Sequence, residues 1–138
     1  MKTGCVFNEK LSRGKMHGED AYPYVKDNIV AVADGLGGRG PEQYRDIVTG
    51  KIYTSAYIGA NTVLESIQSI PAEELNAETL RTAIQNGLNT AKSKYEKVHT
   101  GISSSMFKTF PTTLALGYID NMDSVSYTHL TLPTNSLV

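Results

Sequence analysis

Apolar and polar positions along this chain follow two rhythms. Ala21 to Lys26 and Ile29 to Ala33 are short apolar runs separated by Asp27-Asn28. Asp and Asn tolerate positive φ, so the pair predicts a tight hairpin turn. Ile29-Val30-Ala31-Val32-Ala33 has no polar face, the pattern expected of a strand buried on both sides. Further on the period lengthens. Tyr53, Ala56, Ala60, Val63, Leu64 and Ile67 recur at helical spacing, and Pro71 ends that helix. A second helix is expected to begin near Asn76, a good N-cap, with Glu78 in its first turn. Leu80, Ala83, Ile84, Leu88, Ala91, Tyr95 and Val98 give it one apolar face; Gly87 weakens it and Gly101 closes it.

The remaining segments complete an α+β reading. Cys5 to Phe7 suits a short first strand, and Glu9 to Asp20 reads as a polar loop. Asp34 to Pro41 carries four glycines and a proline, which rule out regular structure, and Pro41 to Lys51 reads as an irregular excursion. After a Ser-rich loop, Thr112 to Ile119 predicts another strand. A β-hairpin, two antiparallel helices and a further strand imply a sheet with a helical pair on one face. No internal repeat interrupts this order.

Composition narrows the function classes. The 138 residues suffice for one modest domain, and 40% hydrophobic with 20% charged residues is ordinary for a globular chain. A formal net charge of −1 offers no basic field to nucleic acid or an anionic membrane. Cys5 is the single cysteine, which excludes an internal disulfide and a cysteine-based zinc cluster, and suits a reducing compartment. Cys5 is expected to pack as a small apolar residue. No apolar run reaches the roughly eighteen residues of a membrane span, and the first residues do not read as a signal peptide. The expectation is a cytoplasmic protein.

The candidate chemistry is acidic. Glu19 and Asp20 lie just before one hairpin strand, and Asp34 lies just after the other. A hairpin returns the chain alongside itself, so its open ends meet and three carboxylates converge. Clustered carboxylates repel unless a cation neutralises them, and an oxygen-only donor set suits Mg²⁺ or Mn²⁺. The glycines that follow Asp34 let a metal or phosphate approach the backbone. A nucleotide-binding loop is disfavoured, because neither a Walker-type Lys-Ser/Thr nor a GxGxxG opening is present. The bland alternative for Asp34-Gly35 is a turn that merely ends a strand. His17 and His99 read as solvent-exposed. Tyr22, Tyr24, Tyr53, Tyr57 and Tyr95 read as lining the core or its rim.

These residues carry a resemblance. Gly18-Glu19-Asp20-Ala21 resembles the Asn-Glu-Asp-Ala box of PP2C-family (PPM) metal-dependent protein phosphatases. Val32-Ala33-Asp34-Gly35-Leu36-Gly37-Gly38 resembles that family's Val-Ala-Asp-Gly-Met-Gly-Gly box. Thr112-Thr113-Leu114 is similar to its Gly-Thr-Thr-Leu strand, with Pro111 in place of glycine. The match runs from about Cys5 to Asp120 and implies part of an α-β-β-α sandwich. By position, Asp34 would bridge two divalent metals, Mn²⁺ or Mg²⁺, and the Gly35 carbonyl would ligate one of them. Glu19 would reach a metal directly or through water, and Asp20 through water. Lys15 stands where the family usually has an arginine that grips the substrate phosphate, and lysine lacks the bidentate fork. Leu36 replaces a His or Met, so no histidine general acid is expected there. The implied activity is hydrolysis of phosphoserine and phosphothreonine in proteins, the products of serine/threonine kinases. A metal-activated water would attack phosphorus in line.

Two departures qualify the resemblance. The family's last two metal-binding aspartates belong to Asp-Gly and Gly-x-x-Asp-Asn boxes, and Asp120-Asn121-Met122-Asp123 comes too early to supply them. Ser124 to Thr134 also resembles, residue for residue, a translated transposase adapter used in sequencing libraries; a Thr-rich final strand is the alternative. The expected organisation is therefore residues 1–123 as the first part of a phosphatase domain and residues 124–138 as a non-native tail. The parent would be the enzyme, and this chain alone would be inactive. Two other classes stay open: a catalytically dead regulatory or phosphoprotein-binding relative, and an unrelated α+β module with a glycine-rich loop.

Overall fold

The computed structural model describes residues 5–7, 18–26, 28–35, 42–98, 109–121 and 124–132. The fold is α+β. Among the described residues the strands and α-helices follow in the order β1 (Tyr24–Lys26), β2 (Ile29–Gly35), β3 (Gln43–Asp46), β4 (Ile52–Thr54), α1 (Ser55–Gln68), α2 (Ala77–Lys94), β5 (Tyr95–Lys97), β6 (Thr112–Asn121) and β7 (Ser124–Leu132). A four-stranded antiparallel sheet runs in the order β1-β2-β6-β7, and a three-stranded sheet runs β4-β3-β5.

The hairpin forms as expected, with Lys26 opposite Ile29 across a two-residue turn. β2 corrects the sequence reading. Its side chains alternate: Ile29, Ala31, Ala33 and Gly35 are buried, whereas Val32 is 46% exposed and Asp34 is exposed. An unbroken apolar sequence suits a strand covered on both faces, but among the described residues the helices cover only one. That covered face holds the core, where α1 contributes Ile58, Ala60, Val63, Leu64 and Ile67. β6 supplies Leu114 and Leu116 to the same layer.

Two further expectations need correction. Gln43 to Lys51 is an ordered hairpin and not an irregular excursion. Tyr44 and Asp46 face inward, and the Asp46 carboxylate accepts the N–H groups of Val48 (2.9 Å) and Thr49 (3.1 Å) to close the turn. The second helix stops at Lys94, short of Gly101, because Tyr95-Glu96-Lys97 is drawn into a ladder with β3. Lys97 Nζ donates to Glu42 Oε1 at 3.1 Å, and the Tyr44 hydroxyl donates to Glu42 Oε2 at 3.0 Å. This polar cluster holds β5 to β3, and burial with the Glu42 contact pushes the Tyr44 hydroxyl pKa up.

The first residues differ as well. Cys5 to Phe7 is no strand: Cys5 and Val6 are exposed, and Phe7 packs edge-on against Tyr22 with ring centres 5.3 Å apart. Tyr22 is likewise exposed and not a core residue, whereas Tyr24, Tyr53 and Tyr95 pack against the core. Asn76 does cap α2, within a reciprocal pair completed by Thr79. Gly87 sits where α2 meets α1, and a Cβ there would collide with Ser66 Oγ. Among the described residues no helix is long and apolar enough to cross a membrane. Ser124 to Leu132 pairs along β6, as β-branched Val and Thr allow whatever the origin of the codons.

Candidate functional site

The hairpin's open end continues past β1. Asp20 bridges Asp34, with the Ala21 N–H donating to the Ala33 carbonyl and the Gly35 N–H to the Glu19 carbonyl, both at 3.1 Å. Those two bonds flank the Asp20–Asp34 pair and mark it as a non-hydrogen-bonded position of the ladder. Opposed side chains approach most closely at such a position, so the two carboxylates share one face. Like charges so placed repel.

The electrostatics record that proximity. The Asp34 carboxyl is held above its ordinary range, first by partial burial, then by a hydrogen bond with the Asp20 side chain. The charges of Asp20 and Glu19 add to the same upward push. The structure thus brings Asp20 and Asp34 face to face and sets Glu19 within electrostatic reach. It does not gather them into a closed cage: among the described residues no three His, Cys, Asp or Glu side chains form a group able to hold a metal ion. The donor set is two facing carboxylates with a third charge nearby, which fits one side of a divalent-cation site. Lys15 and Leu36 lie outside the described residues.

Gly35 has a packing role that the sequence did not reveal. A Cβ there would overlap the backbone carbonyl of Ala56 at the start of α1. The strand bearing Asp34 therefore ends directly against a helix. Three positions along the same helix face, a Cβ on Gly59 would meet the carbonyl of Phe110, the residue that leads into β6.

β6 supplies a second unforeseen feature. Thr113 lies opposite Asp34 and Thr112 opposite Gly35. Thr112 Oγ1 donates to the Asp34 carbonyl at 3.0 Å, and Thr113 Oγ1 reaches the same oxygen at 3.2 Å. No pattern in the sequence could pair these threonines with Asp34, because the register of strands 78 residues apart is a tertiary fact.

On the open face these residues border a hollow of about 380 Å³ lined by Phe7, Asp20, Val32, Asp34, Thr113 and Ala115. A larger hollow of about 710 Å³ between α1 and α2 is lined by residues such as Thr62, Ser66, Glu78 and Asn86, away from the carboxylates. The two facing carboxylates border the smaller one. Comparison with protein-family models, with curated proteins and with solved structures returned no match.

Proposed function

We propose that this chain is the first part of a cytoplasmic PP2C-type metal-dependent phosphatase acting on phosphoserine and phosphothreonine in proteins. The observation that carries the reading is the Asp20–Asp34 pair, a close like-charge contact that a shared divalent cation would relieve. Its support grows from the company it keeps: all three sequence boxes meet at one sheet end, Asp20 beside Asp34 and Asp34 beside Thr113.

In that reading Asp34 and the Gly35 carbonyl would hold divalent ions, with Glu19 reaching them directly or through water and Asp20 through water. Bound Mn²⁺ or Mg²⁺ would supply an acidified water and offset charge on the phosphoryl oxygens. Lys15 would attract the substrate phosphate as a point charge. The open sheet face would receive the rest of the domain, including the aspartates that close the cage. On its own the 138-residue chain is then inactive.

The deciding experiment is Mn²⁺-dependent hydrolysis of a phosphothreonine peptide by the complete gene product, with and without Asp34→Ala. Metal-dependent activity that the substitution abolishes supports the enzyme. A product that binds Mn²⁺ but never turns over points to a catalytically dead relative, the reading favoured by lysine at position 15. Indifference to metal points to an unrelated binding module and ends the proposal.

A further inference from the structure

We infer that Thr112 and Thr113 are positioning residues that clamp the backbone of Asp34, so that its carboxylate stays aimed at Asp20; this rests on reading the pair as a cation site. Successive side chains of a strand point to opposite faces, so adjacent threonines grip one carbonyl from both sides of the sheet. Thr112 approaches from the core, where it is fully buried. Thr113 approaches from the open face, beside the hollow that Asp34 borders.

The arrangement is more than hydrogen-bond bookkeeping. Thr112 Oγ1 also lies 3.2 Å from the Thr113 carbonyl on its own strand, so a local partner is at hand. The contact to Asp34 is the shorter one. Two like-charged side chains at a close pair drive their backbones to splay or twist. Fixing the Asp34 carbonyl limits rotation of its peptide and holds the Cα–Cβ direction toward Asp20. Groups that orient metal-binding side chains commonly govern affinity by roughly tenfold or more when removed.

The test is Mn²⁺ binding by the complete gene product, followed by water-proton relaxation, alongside thermal unfolding. Thr112→Val keeps the shape and removes the hydroxyl; it should weaken Mn²⁺ binding by roughly tenfold in the folded protein. Thr112→Ser should restore wild-type affinity. Thr113→Val, at a half-exposed position, should weaken binding by a smaller factor and decides the matter where Thr112→Val does not fold. A folded Thr112→Val or Thr113→Val protein with lowered Tm but wild-type Mn²⁺ affinity overturns the clamp and leaves an ordinary structural bond. A wild-type complete gene product with no Mn²⁺ effect at all removes the cation site itself, and the clamp with it.

Discussion

Gly35 lies so close to the Ala56 carbonyl that no side chain fits between the strand and the helix. The contact is to backbone, which cannot rotate aside as a flexible side chain would. Gly35→Ala should therefore destabilise the chain by about 1–3 kcal/mol, the usual cost of overpacking a close contact. Urea denaturation monitored by circular dichroism reads the change, and an unaltered midpoint would show that β2 and α1 can separate freely.

Asp34 opposes Asp20 at a close ladder position, so charge there works against folding when no cation is present. Asp34→Asn should raise Tm by about 2 °C, from roughly 0.5 kcal/mol of relieved repulsion kept small by the exposed side chain. The same change should abolish any stabilisation by added Mn²⁺. A lower Tm in metal-free buffer would argue against repulsion.

The pH dependence follows in sign from the same shift. A carboxyl whose folded pKa is raised binds its proton more tightly in the native state, so its contribution grows as pH falls and is lost as pH rises through that pKa. The Tm advantage of Asp34→Asn over wild type should accordingly widen from acid to neutral pH. Parallel Tm–pH curves would contradict it.

Asp46 shifts the other way. Hydrogen bonds from the Thr49 and Val48 N–H groups, with Lys94 nearby, hold its carboxyl below the ordinary range against the opposing effect of burial. Its stabilisation is present above the unfolded pKa and fades as pH falls through the folded one. Asp46→Ala should lower Tm, and Asp46→Asn should lower it less, since an amide oxygen still accepts both N–H bonds. Equal losses would locate the effect in charge alone.

At the start of α2, the Asn76 side chain accepts from Glu78 N–H (2.9 Å) and Thr79 N–H (3.0 Å), while Thr79 Oγ1 accepts from the Asn76 N–H (3.0 Å). Asn76→Ala should cost about 1 kcal/mol of stability. Guanidinium denaturation of the two proteins makes the comparison.

Local signals made part of this molecule legible. Asn76 announced its cap because the N-cap chemistry lies within four residues, and the hairpin announced itself through Asp27-Asn28 and flanking apolar runs. The meeting of Asp20 and Asp34 followed from hairpin geometry alone. Features that depend on distant partners were not legible. β3 presents only Tyr44 as a large inward apolar residue, and β5 continues the helical pattern of α2 until its ladder with β3 overrides it. The exposure of Val32 reflects what covers the sheet, which no single strand encodes.

The opening turn of α1 touches β2 through Ala56 and the approach to β6 through Gly59. Neither residue carries a charge or a reactive atom, yet together they act as a gauge block that sets how far apart the two strands begin. A methyl group added at Gly35 or Gly59 would be felt as a misalignment between acid and threonine, although neither glycine has a side chain of its own. Loss of function traced to this helix would thus look like a chemical defect while being a carpentry fault.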